Sequence, residues 1–348
     1  MGSRDIGARE GRVSCWSGRA RSHEAPGDVA MTPPCITAEE VRWAYRILLD
    51  REPETDDVVA EKVAALSSRA ALRLDVLCSP EFLAQNPHWR GFDRPTLVIK
   101  ELEEGPRIFV DLMDVFVGRT IVKNEYEANE RAFVRAALRP GETAVDIGAN
   151  IGLYSLLFAH LVGPTGRVYA FEPFPANAAL LEKSIAENRF ADRLQVTGCA
   201  LGNAPSSMRL VYVPGTVNSG GAYVVPLDAT IPGGHAALDV DVFRLDDLPL
   251  RHPIRFMKLD VEGAEPLVLE GARGSLVADR PLVLAEMHPA QLAKVSGRSP
   301  IDLVRWMDDL GFECFRLEGG RLGKRFTGCD GDEIVSVVFK SSDLPMPG

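Results

Sequence analysis

The chain has 348 residues, 46% of them hydrophobic and 25% charged, enough for one sizeable core and a smaller unit beside it. Its 39 Lys and Arg against 49 Asp and Glu give a formal net charge of -10, which disfavours a nucleic-acid backbone or an anionic membrane as main partner. Six cysteines without a C-x-x-C pair indicate neither zinc nor a disulfide framework, and no apolar run approaches the ~18 residues of a membrane span, so a cytoplasmic protein is expected.

Residues 1–35 carry Arg4, Arg9, Arg12, Arg19 and Arg21 among Gly and Ser, without the apolar stretch of a secretory signal. They read as a disordered leader, with Met31 an alternative start. Residues 36–90 read as a small helical domain. Val41, Ala44, Tyr45, Leu48 and Leu49 recur at helical spacing up to Pro53, and a second helix runs through Val58, Val63 and Leu66. Its segments Leu48-Leu49-Asp50-Arg51-Glu52-Pro53 and Ser79-Pro80-Glu81-Phe82 resemble a short helical domain of unknown function found beside glycan-modifying enzymes. The unit is a candidate for docking on a protein partner.

Residues 87–95 form a linker opening a third region, 91–139. There residues 96–122 alternate and turn at Glu104-Gly105-Pro106, predicting a hairpin or meander, and a helix passes through Tyr126, Ala132, Phe133 and Leu138.

Residues 140–342 repeat a strand-helix theme. The strand 144–147 breaks into Gly148-Ala149-Asn150-Ile151-Gly152 and reopens as a helix over 153–161. Further strands end at Glu172, Cys199, Asp260 and Glu286, at intervals of 26, 27, 61 and 26 residues from Asp146, the shorter being one βαβ step. The long gap must hold an insertion, read as a hairpin arm from 210–214 and 223–227. Helices are expected over 177–188, 264–276 and 300–310, and strands 313–317 and 333–340, separated by Gly319-Gly320, close the sheet. The predicted class is α/β, a doubly wound Rossmann-like sheet preceded by a small all-α unit.

Such sheets bind ligands at the carboxyl ends of their strands, where this chain places its acids. Asp146 would repel a pyrophosphate seated on the following helix and hold an ammonium group instead, and the loop supplies two glycines where a dinucleotide fingerprint wants three. Both features favour S-adenosyl-L-methionine over NAD, with Gly148 and Gly152 letting backbone approach the ligand. Glu172 can accept both ribose hydroxyls, although Glu172-Pro173 also reads as a helix start.

Strand alternation points Lys258 and Asp260 to one face, with Glu286 and His288 making the same step on the neighbouring strand. Methyl transfer to a hydroxyl needs a base near its proton, and Asp260 and His288 are the candidates, with Lys258 and Glu262 beside them. In the plainer alternative, Asp260 or Glu262 caps the helix near Gly263, with Glu265 completing a box, and His288 before Pro289 is a turn residue. Carboxylates with an imidazole also suit a divalent cation, but Lys258 already supplies positive charge there, so no metal is expected.

Together, Tyr126-Glu127, the segment 146–152, Ala170-Phe171-Glu172-Pro173, Ala200-Leu201-Gly202, Asn218-Ser219-Gly220 and the segment 258–265 resemble the FkbM family of S-adenosylmethionine-dependent methyltransferases over about residues 107–339. The resemblance implies a seven-stranded class I methyltransferase sheet with its last strand antiparallel. It also implies O-methylation of a glycan or secondary metabolite. By position, Asp146, Gly148, Asn150 and Gly152 surround the methionine portion, Glu172 the ribose, and Cys199 with Ala200 the adenine edge, with Glu127 close by. The insertion over 203–250 is expected to shape acceptor choice. The competing readings are an NAD-dependent oxidoreductase and a non-catalytic nucleotide-binding scaffold in glycan assembly.

Overall fold

The computed structural model describes residues 36–66, 69–77, 79–86, 96–214, 220–328 and 333–343. The leader 1–35 with Met31, the linker 87–95, and Asn218 with Ser219 lie outside these residues.

The first helix, α1 (Ala38–Leu49), opens on a reciprocal cap: the Glu40 backbone N–H donates to the Thr37 hydroxyl, and the Thr37 N–H donates to the Glu40 carboxylate. Helices α2 (Asp56–Ala65), α3 (Arg69–Leu77) and α4 (Pro80–Gln85) follow, α2 capped by Thr55 and α4 by Ser79. Val41, Tyr45, Leu49, Val59, Leu72 and Phe82 gather into their own apolar cluster. Arg51 reaches Glu81 at 2.5 Å, tying the start of α4 to the end of α1.

Strands β1 (Leu97–Glu101) and β2 (Arg107–Asp111) pair antiparallel around the expected turn. The extended chain stops there. The Asp114 carboxylate accepts from the backbone N–H groups of Phe116 and Val117, turning the chain into the short α5 (Gly118–Val122) where strand was expected. Helix α6 (Ala128–Ala137) then leads into the main sheet.

The first half of that sheet alternates β3 (Thr143–Ile147), α7 (Leu153–Val162), β4 (Arg167–Phe171), α8 (Pro175–Asn188) and β5 (Leu194–Thr197). After the short β6 (Ala200–Leu201) the insertion builds β7 (Ser206–Tyr212), β8 (Tyr223–Val225) and β9 (Ala236–Phe243). The second half runs β10 (Ile254–Leu259), α9 (Glu265–Gly271), α10 (Arg273–Asp279), β11 (Leu282–Met287), α11 (Pro289–Val295), α12 (Pro300–Asp309), β12 (Phe312–Glu318), β13 (Arg321–Arg325) and β14 (Val335–Ser341). In space the order is β13-β12-β14-β11-β10-β3-β4-β5. Strands β5, β4, β3, β10 and β11 are parallel, and β14 enters antiparallel between β11 and β12.

The seven expected strands are present with the last antiparallel, and the hairpin partner β13 adds an eighth at the edge. Its Arg-Leu-Gly-Lys-Arg sequence reads as loop because an edge strand needs no apolar alternation. The expected helix 264–276 breaks at Ala272 into α9 and α10, next to Gly271, whose absent Cβ would lie 1.9 Å from the Gly202 carbonyl oxygen. The expected hairpin arm forms, β7 pairing antiparallel with β8, and β9 and β6 widen it into a four-stranded sheet in the order β6-β9-β7-β8.

One face of the main sheet packs with α6, α7 and α8 around Phe133, Phe158 and Phe256, and the other with α9, α10 and α12 around Met257, Leu276 and Phe312. Strand direction of progress reverses between β3 and β10, opening a crevice at their carboxyl ends. No described helix is long and apolar enough to cross a membrane.

Candidate functional site

All five residues of β3 are buried, Asp146 among them. It stands between Ala170 of β4 and Lys258 of β10 in the parallel register. The Ser155 hydroxyl donates to Asp146 Oδ2 at 2.5 Å, whereas Oδ1 has no hydrogen-bond partner. Burial pushes this carboxyl up to about 6.

Lys258 Nζ donates to Asp260 Oδ2 at 2.9 Å and lies 4.7 Å over the Tyr154 ring. Burial works against its charge, yet the carboxylates of Asp260, Glu127 and Asp146 hold it well above the ordinary lysine range. Three carboxylates thus surround one buried cation.

The loop after β3 is tightly tethered. A Cβ on Gly148, at φ +79°, would meet the Asp260 carbonyl oxygen at 1.9 Å, and one on Gly152, at φ +94°, would meet Leu181 Cδ1 at 2.1 Å. These glycines therefore let the loop pack against β10 and α8, where the sequence suggested close approach of a ligand. The Asn150 backbone N–H donates to Glu172 Oε2 at 2.7 Å and the Phe174 N–H to Oε1 at 2.8 Å. Burial nevertheless pushes the Glu172 carboxyl up to about 7.

Three adjoining cavities meet at Asp260. The largest encloses about 640 Å³ including its open mouth and is lined by Gly148, Asn150, Glu172, Cys199, Ala200 and Glu262. A small second one holds Asp146, Tyr126, Tyr154 and Lys258. The third is acidic, lined by Glu127, Glu130, Lys258, Glu286 and Ser336. Asp260 borders all three.

Six of the eight expected cofactor residues therefore border the first two cavities. Gly152 sits behind them as the N-cap of α7, and Glu127 faces the acidic cavity, where the Tyr154 hydroxyl donates to it at 2.6 Å. Burial pushes the Cys199 thiol up to about 11, leaving a neutral apolar wall.

Lys258, Asp260 and Glu286 converge as expected, but His288 does not join them. It stands at the N-cap position of α11, borders none of the three cavities, and leaves its buried Nδ1 without a partner. Glu127, at the N-cap position of α6, closes the group instead. Glu262, expected beside the base, lines the large cleft. Burial and then Asp260 push it up to about 8, and burial, Asp260 and Glu127 push Glu286 up to about 7. Glu265 holds the loop after β10 by accepting from the Val261 and Gly263 N–H groups, but neither Asp260 nor Glu262 caps the helix, whose N-cap is Ala264 without a side-chain cap, so the expected box does not form.

Sequence reasoning missed Tyr154 and Ser155, two hydroxyls in the first turn of an otherwise apolar helix, and Glu130, which accepts from Ser336 at 2.6 Å across the acidic cavity. Among the described residues no group of three or more His, Cys, Asp or Glu is arranged to hold a metal ion.

Acid-tipped parallel strands, a glycine loop and a cleft at the point where strand order reverses define a Rossmann-like α/β fold of the methyltransferase class. The model of the Methyltransferase FkbM domain matches residues 146–314. The chain is 35% identical over 190 residues to 31-O-demethyl-FK506 methyltransferase FkbM of Streptomyces tacrolimicus, covering 46% of this chain and 71% of that protein. It is 30% identical over 155 residues to methyltransferase sdnD of Sordaria araneosa, covering 36% of this chain and 59% of that one. The crystal structure of methyltransferase FkbM from Methylobacillus flagellatus KT aligns with 85% of this chain and 58% of its own, at 20% identity and a TM-score of 0.38. The chain belongs to the FkbM methyltransferase family.

Proposed function

We propose that the protein is an S-adenosylmethionine-dependent O-methyltransferase acting on a hydroxyl of a glycan or secondary metabolite. The observation that carries this reading is Asp146, a fully buried carboxylate whose Oδ1 lacks a partner and which lines the small cavity that shares Gly148, Asn150 and Asp260 with the large cleft. A buried polar atom left unpaired is costly, and an ammonium donor would satisfy it. The surrounding charges agree. Asp146, Glu127 and Asp260 outnumber Lys258, so the pocket favours a ligand carrying positive charge at this point and disfavours a diphosphate. That argues against NAD, which Glu172 alone would suit equally well.

The bound cofactor supplies an electrophilic methyl group on a cationic sulfur. Asp146 holds the amino acid head, and Glu172, fixed by two backbone donors, accepts the ribose hydroxyls. Cys199 and Ala200 border the adenine. The acceptor enters through the acidic cavity, where its hydroxyl must lose a proton as the new bond forms. Asp260 is tied to Lys258 and Glu127 accepts from Tyr154, whereas the carboxylate of Glu286 has no hydrogen bond or ion pair among the described residues. Glu286 is therefore the proton acceptor, in place of His288. A positioned base contributes ~10²- to 10⁴-fold.

The test is label transfer. Purified protein incubated with S-adenosylmethionine labelled in its methyl group and a fractionated cell extract should label one fraction in an alkali-stable form, as an ether requires. Label lost in mild alkali would point to an ester. Labelling by the Asp146→Asn variant equal to wild type would contradict the reading.

A further inference from the structure

The insertion packs on the large cleft through an apolar layer, with Leu210, Val224, Val240 and Val242 set against Ala200 and Ala264. It is fastened on two sides. Tyr212 of β7 packs against Phe174, two residues past Glu172, with ring centroids 4.9 Å apart and planes tilted by 45°. On the other side Lys294 Nζ of α11 lies 3.7 Å from the Tyr223 ring centroid of β8. Between these fastenings Leu210, Ala222, Tyr223 and Val224 line the same cleft as Glu172, Cys199 and Ala200. No described residue of 203–250 lines the cavity of Asp146 or the acidic cavity of Glu286.

We infer that the insertion is the outer wall of a nucleoside subsite, that β8 with Tyr223 covers the purine, and that the acceptor enters by the separate acidic mouth. The insertion would then set cofactor affinity and leave acceptor choice to Glu130, Glu286 and Ser336, which reverses the role its loop position suggests. A purine suits this place because it offers a flat apolar face to each wall and a ribose to Glu172. The inference rests on the cofactor reading above, and the probes separate the two.

The probes are S-adenosylhomocysteine and adenosine, titrated by calorimetry into the full-length protein. Tyr223→Ala should weaken both by a similar factor, about five- to a hundredfold, as expected when a base loses an aromatic or apolar cover. Ala222→Trp, which fills the cleft, should weaken both at least as much. Ser207→Trp, on an exposed position of β7, should leave both within twofold of wild type. Hydrogen exchange on the unmutated protein supplies a readout independent of variant folding: S-adenosylhomocysteine should protect the amides of β8 and leave α6 unchanged. Wild type that binds while both cleft variants bind equally well, or β8 amides that gain no protection, would overturn the inference and leave the cofactor reading standing. Wild type that binds neither probe would remove both.

Discussion

Asp146→Asn should strengthen the free protein and weaken cofactor binding. The side chain is fully buried, and its carboxyl is pushed up from 3.8 to about 6. Its native pKa lies above its unfolded value, so the folded state holds the proton more tightly. The stabilisation is complete below about pH 4 and is lost as pH rises through about 6. Two pKa units correspond to ~3 kcal/mol, the penalty for carrying this charge in the fold above pH 7. An asparagine avoids that penalty and its amide oxygen can still accept from the Ser155 hydroxyl, but its amide hydrogens are left to satisfy, at ~1–2 kcal/mol. The net gain should be ~1–2 kcal/mol at pH 8, read as a higher urea midpoint, and should shrink towards pH 4. Binding of S-adenosylhomocysteine should weaken ten- to hundredfold, since a charged hydrogen bond contributes ~1.5–3 kcal/mol. A variant less stable than wild type at pH 8, with unaltered affinity, would refute the reasoning.

Lys258→Met should leave Asp146, Glu127 and Asp260 buried without their cation, costing ~3–5 kcal/mol at pH 8 and less at pH 5.5, where Asp146 takes up its proton; denaturant midpoints at the two pH values check this. Gly148→Ala forces a side chain into the left-handed region at φ +79° and against the Asp260 carbonyl, so a loss of more than about 2 kcal/mol is expected in the same assay. Treatment with EDTA should leave methyl transfer unchanged, because the described residues offer no metal-holding group; loss of turnover restored by a divalent cation would contradict this.

Asp146, Glu172, Cys199 and Asp260 were legible in the sequence because a βαβ unit has a nearly fixed length and each strand ends where its apolar run meets a polar residue. The local rules failed where contacts come from afar. The loop glycines are needed against Asp260 and Leu181, partners that no local pattern reveals. His288 follows the two-residue step from Glu286, but the strand ends at Met287 and the chain turns into α11. Glu127 comes from the N-cap of α6, outside the strand repeat, and only the family resemblance pointed to it. The alternation Leu238, Val240, Val242 with Asp239 and Asp241 between them was a readable strand signal in the insertion, and its neglect reduced a four-stranded sheet to a hairpin.

Isothermal titration of the purified protein with S-adenosylhomocysteine and, separately, with NADH tests the cofactor assignment most directly. Saturable heat with the first and none with the second is the predicted result. Tight binding of NADH, with no heat from the thioether, would contradict it.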